Sequence, residues 1–329
     1  MKRSFLLLAA LPVLVACGAA DGGDVSTITV ADTSTTAEAT TTTLADMTTI
    51  SEPAYPVTVE ADNGPVTIEA MPEAIVSLSS TATEMLFAVG ASPQVVAVDD
   101  QSNYPEDTPM TDLSGFTPNI EAILAYEPDL VLIGYDPGDL VASLEAAGVP
   151  VIYYNAALTV EDTYRQIEAI GVATGHVDES IVVSESVETE LAKIAADAPD
   201  VPEDTTYYHE LDNTYYTATS STFFGQIYGM FGIDNIADPA DNDGSAFGYP
   251  QLSSEFIVSA DPELIFLADV LYGESAESVA ARPGWEVLSA VREGNVVELD
   301  SDIASRWGPR IVDFAQSVAD ALDAYLSDS

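Results

Sequence analysis

One cysteine, two histidines and eight Lys plus Arg are all that 329 residues contain of those types. With Cys17 alone, a disulfide, a dithiol redox pair and a cluster of thiolate metal ligands are excluded. Eight basic residues against 55 acidic ones give a formal net charge of −47. Such a chain repels polyanions, so nucleic acid is not a partner. GxSxG, HExxH and GxxxxGK[ST] are missing, and no thiol is left for a nucleophile. Carboxylates are too abundant for any pair of them to point to catalysis. The chain is therefore read as a non-enzyme, with an extracellular metal-dependent hydrolase as the remaining enzymatic alternative. The acidity itself suits a saline environment and concerns solubility rather than chemistry.

The N-terminus has an export pattern. Lys2 and Arg3 precede an apolar run over residues 5–15 that is too short to span a bilayer as a mature helix. Leu14-Val15-Ala16-Cys17 follows and resembles the lipobox of bacterial lipoproteins. That resemblance implies a signal ending at residue 17, lipid on Cys17, and a place on the extracytoplasmic face of the cell membrane. Residues 18–56 read as a disordered tether. Eleven of residues 18–53 are threonine, with little that is bulky and apolar. Such a segment cannot bury enough surface to offset its ordering entropy.

A segment that occurs twice organises the remainder. EAILAYEPDLVLI (121–133) and EFIVSADPELIFL (255–267) align without a gap at an offset of 134. Each reads as a helix, a proline-marked turn and a buried strand. Ser79-Ser80-Thr81 and Ser220-Ser221-Thr222 open helical runs that end at Gly90 and Gly232. Strands alternating with helices predict an α/β fold of two Rossmann-like lobes, 57–158 and 199–329. Helices over 159–198 connect them. The second, 178–198, is long, with Val183, Val187, Leu191 and Ile194 on one face. A cleft between two such lobes is the expected ligand site.

Several segments together resemble the bacterial substrate-binding lipoproteins of ATP-driven importers, in the cobalamin and ferric-siderophore branch. The carriers are PEAIVSLSSTATEMLFAVG (72–90), SNYP (102–105), NIEAILAYEPDLVLI (119–133), YPQLSSE (249–255), DPELIFL (261–267), RPGW (282–285) and SDIASRWGPRI (301–311). The resemblance implies two lobes joined by one long helix. It also implies a monomer that hands a small-molecule metal chelate to a permease dimer driven by an ATPase. Glu121 and Glu255 would dock on permease arginines, and the internal repeat independently makes them an equivalent pair. Asn119 and Ser253 also read as N-caps, which would place both glutamates in first helical turns, where the helix dipole favours an anion.

The cleft should lie at strand C-termini. The repeat puts Tyr135 and Asp269 at equivalent strand ends. Loop aromatics include Tyr104, Phe116, Tyr135, Tyr249 and Trp307, on which a large planar ligand can stack. By resemblance, Tyr104 and Asp302 match positions near the ligand in the cobalamin-binding member, while Phe116 and Tyr135 replace two of its tryptophans. Arg306, Arg310 and Arg282 are the few cations within reach. So few suit a near-neutral chelate, a corrinoid ahead of a ferric hydroxamate, better than a ferric catecholate. Haem binding, or a sensor that captures a chelate without transport, stays open. No resident cofactor is expected. His209 is the one metal-ligand candidate, and a lone histidine is more often simply hydrogen-bonded. Asp238–Gly244 fails the calcium-loop pattern because prolines replace ligands.

Overall fold

The computed structural model describes residues 54–327. The expected signal, Cys17 and most of the expected tether, residues 18–56, lie outside them. The chain begins with an antiparallel pair, β1 (Val57–Ala61) and β2 (Gly64–Ile68). Alternation of Val57, Val59 and Ala61 with polar residues and the Asn63-Gly64 turn account for this hairpin. An alternating layer follows: β3 (Ile75–Leu78), α1 (Ser80–Ala88), β4 (Val95–Asp99), β5 (Met110–Leu113), α2 (Ile120–Leu124), β6 (Leu130–Ile133), α3 (Leu140–Ala146) and β7 (Val151–Tyr153). Strand β5, at the sheet edge, has only Leu113 buried. The five strands β3–β7 form a parallel sheet in the order β5-β4-β3-β6-β7. Both β3 and β6 are buried at all four residues, as expected for strands covered on both faces. The hairpin turn closes the outer edge of β7. Asp62 N–H donates to the Tyr153 carbonyl (2.9 Å), and the Asn63 amide bonds Val151 and Tyr153 (2.9 and 3.2 Å).

The second lobe repeats the plan with β8 (Thr206–Glu210), α6 (Phe223–Gly229), β9 (Asp234–Asn235), α7 (Ser254–Ala260), β10 (Leu264–Leu267), α8 (Ala276–Ala280), α9 (Ser289–Glu293) and β11 (Val296–Glu298). Its parallel sheet has the order β11-β10-β8-β9. A 3-10 turn, Trp285–Val287, precedes α9. The closing helix α10 (Ile311–Ser327) starts two residues after Pro309.

The internal repeat has a structural counterpart down to single residues. Glu127 and Asp261, the residues before each proline, both take the left-handed conformation, φ 51° and 48°. The acids after each proline anchor the chain at the start of the first parallel strand of their own lobe, β3 or β8. Asp129 accepts the N–H groups of Glu73 and Ala74 (2.8 and 3.0 Å), and Glu263 accepts the N–H and hydroxyl of Thr206.

Two helices tie the lobes. The first, α4 (Val160–Thr174), begins with a Thr159/Asp162 capping box and ends at left-handed Gly175. The second, α5 (Val177–Asp197), has 21 residues and so spans about 30 Å. Val160, Val187 and Leu191 belong to the core of the second lobe, while Ile167, Ile170 and Ala173 belong to that of the first. The expected long helix is therefore accompanied by α4, and the pair enters both cores. They pack so closely that a Cβ on Gly171 would sit 2.1 Å from the Ser180 hydroxyl.

Candidate functional site

In the first sheet the chain changes direction of growth between β3 and β6; in the second it does so between β8 and β10. Ligands of open α/β sheets lie at such switch points, beyond the strand C-termini. One cavity of about 450 Å³ collects all four strand ends. Residues 78–81 follow β3, Gly134 and Tyr135 follow β6, Leu211 follows β8, and Ala268 follows β10. Asp99 at the end of β4 and residues 301, 302 and 304–307 beyond β11 complete the wall with Phe116, Phe224, Leu271 and Tyr272. The volume suits a small-molecule site. A second cavity of about 550 Å³ lies between β2 and the N-terminal ends of β6 and β7, with no aromatic residue on its wall.

A buried ion cluster forms the floor of the cleft and joins the lobes. Glu84 on α1 is 3 % exposed. Its Oε1 accepts from Arg306 Nη1 (2.8 Å) and Arg310 Nη2 (2.6 Å), and its Oε2 accepts from Arg310 Nε (3.0 Å). Arg306 also donates to Asp302 (2.8 Å) and to the Gln101 carbonyl (3.0 Å). The Arg310 guanidinium lies 4.1 Å from the centre of the Tyr104 ring. Asn103 donates to Asp302 (2.7 Å), and Trp307 donates its indole N–H to Gln166 on α4 (3.0 Å). Every one of these bonds except Arg306–Asp302 runs between the first lobe or α4 and the segment after β11. The arginines read from sequence as cleft cations are thus neutralised by the protein's own carboxylates. Arg282 is likewise held, by Glu210 in a two-point pair (2.6 Å each) and by Glu274 (2.7 Å), with its guanidinium over Trp285.

Of the expected site residues, Phe116, Tyr135, Asp302, Arg306 and Trp307 line the cavity. Phe116 and Tyr135 are 68 % and 54 % exposed, with ring centres 6.3 Å apart, and form one aromatic wall. Three others stand off the wall. Tyr104 serves as the platform for Arg310. Tyr249 packs half-buried against the core of the second lobe. The Asp241 carboxylate holds its loop in, accepting the N–H groups of Ala246 and Gly248 (2.7 and 2.6 Å). Asp269 is buried just beneath Ala268, with one carboxyl oxygen lacking a partner among the described residues. Burial and the neighbouring Glu210 raise its pKa to about 6.

His209 is not placed to hold a metal in the cleft. It is fully buried, its ring stacks behind Phe224, and its Nδ1 bonds the Tyr228 hydroxyl (2.8 Å). Burial pushes its pKa down to about 4, so the ring is neutral at neutral pH. No group of metal-ligating residues occurs among the described residues. Phe223 and Phe224 are both buried, although Phe224 still reaches the cavity wall. The sequence reading missed Glu84 and Asp99. A glutamate within the apolar run of α1 and an aspartate at a strand C-terminus were the available signals.

Glu121 and Glu255 each occupy the first turn of a short helix, α2 and α7, and both are exposed. The preceding caps match as well: Asn119 accepts from Ala122 N–H (3.1 Å) and Ser253 from Phe256 N–H (3.2 Å). Among the described residues no helix is long and apolar enough to cross a membrane.

Comparison with known proteins fits this architecture. An uncharacterised ABC transporter substrate-binding lipoprotein, YvrC of Bacillus subtilis, is 30 % identical over 278 residues, 82 % of this chain and 86 % of that protein. A cobalamin-binding protein of Halobacterium salinarum is 31 % identical over 279 residues, 82 % of this chain and 74 % of that one. The crystal structure of the periplasmic vitamin B12 binding protein BtuF of Vibrio cholerae superposes with a TM-score of 0.60 at 25 % identity, covering 78 % of this chain and 99 % of that one. The model of the periplasmic binding protein family matches residues 75–303, so this chain, with two lobes closing on one cavity, belongs to that family.

Proposed function

We propose that this protein is the extracytoplasmic solute-binding component of an ATP-driven importer and that it captures a large, near-neutral metal chelate, a corrinoid in the first place. The observation that carries this reading is the charge state of the cavity wall. Its one cation, Arg306, is already consumed by Glu84 and Asp302, while Phe116, Tyr135, Phe224 and Tyr272 offer ring surface. A trianionic ferric catecholate would enter such a cavity without a free positive partner, at a large desolvation cost. A corrinoid or a ferric hydroxamate would not meet that cost. The relatives named for cobalamin and vitamin B12 support the first. In this reading lipid on Cys17 holds the protein at the membrane, and Glu121 and Glu255 meet the two halves of a permease. The chain acts as a monomer and carries out no reaction.

Purified protein titrated calorimetrically with cyanocobalamin, a ferric hydroxamate, haem and a ferric catecholate tests the ligand. Cyanocobalamin at a hundredfold excess over its Kd should stabilise the fold by about 2.7 kcal/mol. Tight binding of the catecholate alone would show that the neutralised arginines do not decide selectivity.

A further inference from the structure

Asp99 ends β4 on the cavity wall, and behind it runs a chain of buried hydroxyls. Asp99 Oδ1 lies 2.6 Å from Ser102 Oγ, which lies 2.9 Å from Thr83 Oγ1. Thr83 Oγ1 lies 2.9 Å from Ser77 Oγ, which lies 3.2 Å from the Ser79 carbonyl. Ser77, Thr83, Asp99 and Ser102 are at most 3 % exposed, so water does not replace these contacts. Both ends of the chain, Asp99 and Ser79, belong to the cavity wall.

Four contacts need four hydrogens, and three hydroxyls supply three. A neutral Asp99 provides the fourth. Hydrogens then run one way, from Asp99 to Ser102, Thr83, Ser77 and the Ser79 carbonyl. An ionised Asp99 accepts the Ser102 hydrogen instead. Thr83 still donates to Ser77 and Ser77 to the Ser79 carbonyl, so the 2.9 Å contact between Thr83 and Ser102 is left without a hydrogen. The proton on Asp99 therefore decides whether the wire is complete.

The surroundings favour the acid. Burial raises the pKa of Asp99 and outweighs the Ser102 hydroxyl and the backbone amides of Gln101 and Ser102, which favour the anion. Asp100, next in the chain and exposed, adds to the rise. On α1 the nearest charge, Glu84, is neutralised by Arg306 and Arg310. On β5 the buried Leu113 pairs with Asp99, and the neighbouring Asp112 is exposed. The strand β3 offers only Ser77 and Leu78.

We infer that Asp99 is a specificity-determining residue that meets the ligand as a neutral carboxylic acid, so that capture of a large uncharged chelate takes up a proton. The inference rests on the ligand class proposed above. A large uncharged ligand strips the remaining solvation from Asp99, which penalises the anion and leaves the acid untouched. Affinity then falls as pH rises above the pKa of the free cleft, by about tenfold per pH unit for one proton. An isolated cationic ligand would show the opposite sign.

The wire is tested without ligand. Infrared difference spectra between the wild type and Asp99→Asn, taken from about pH 4 to 8, follow the carboxyl of Asp99 through its titration. A midpoint above the ordinary carboxylate range is expected; full ionisation at about pH 4 overturns the inference. Thr83→Val cuts the wire, leaving the Ser102 hydrogen no acceptor but Asp99. It should move the midpoint to lower pH by about one unit, whereas burial alone predicts no movement. This variant also carries the test if Asp99→Asn does not fold. Calorimetry with cyanocobalamin in two buffers of different ionisation enthalpy counts the protons. Uptake in the wild type and none in Asp99→Asn is expected, and binding without uptake sinks the coupling. Absence of cyanocobalamin binding would remove the corrinoid reading instead, with the infrared titration still deciding the state of Asp99.

Discussion

Glu84 and Arg310 meet across the floor of the cleft at two points, Oε1 to Nη2 at 2.6 Å and Oε2 to Nε at 3.0 Å. Two-point carboxylate–guanidinium pairs fix orientation as well as distance. Here the pair fixes the first lobe against the segment that opens α10. Its net worth relative to an apolar contact is small, but breaking it is costly. Glu84→Ala leaves Arg306 and Arg310 without their shared buried partner. It should lower stability by about 3–5 kcal/mol in denaturant titration. A loss below about 1 kcal/mol would mean that Asp302 and other acceptors take over both guanidinium groups.

Asp269 should make stability depend on pH. Its pKa is raised from 3.8 to about 6, chiefly by burial and then by Glu210. A pKa raised in the folded state gives stability that is complete below about pH 4 and is lost as pH rises through about 6. Asp269→Asn removes this titration. The variant should equal the wild type near pH 4 and exceed it above pH 6 by about 1–2 kcal/mol. Thermal unfolding followed at both pH values measures the difference, and parallel curves for the two proteins would contradict the assignment.

The aromatic wall should act on affinity. Phe116→Ala or Tyr135→Ala is expected to cost about 0.5–1.5 kcal/mol in ring contact beyond the lost area, or roughly three- to tenfold in Kd for the captured chelate. Tyr249→Ala should instead lower the unfolding temperature and leave Kd within about twofold, because its ring packs into the second lobe. The reverse pattern, measured calorimetrically, would move the site toward the Tyr249 loop.

Glu121→Ala and Glu255→Ala remove exposed carboxylates that do not line the cavity. Ligand affinity should stay within about twofold and stability within about 0.5 kcal/mol, while uptake by whole cells falls and the double change lowers it further. Unimpaired uptake in the double variant would remove the docking role.

The parts of this fold that were legible in the sequence are those written in short range. The repeat at an offset of 134 carries its caps, its left-handed residue, its proline and its anchoring acid within one segment, so both copies fold alike. The hidden parts join distant segments. Glu84 is paired with residues more than 200 positions away, and no local periodicity announces such a partner. Equivalence in the repeat also breaks down beyond the strand end. Tyr135 stays on the surface, whereas the 3-10 turn Val270–Tyr272 carries the chain away from Asp269 and leaves that carboxyl buried. Tyr249 misled for a related reason: a loop rich in proline and glycine reads as exposed, but the Asp241 carboxylate draws it in. The hairpin β1–β2 was legible and was overlooked: Val57, Val59 and Ala61 alternate with polar residues, and Asn63-Gly64 is a tight-turn pair.

The pair α4 and α5 places residues in both hydrophobic cores, and Gly171 leaves no space between them. Neither lobe owns its complement of buried surface. Cutting the chain at residue 198 would strip the second lobe of Val160, Val187 and Leu191, and melting either lobe would expose helices that the other needs. The two α/β layers therefore behave as one cooperative folding unit, and a recombinant half would not be a smaller version of the whole.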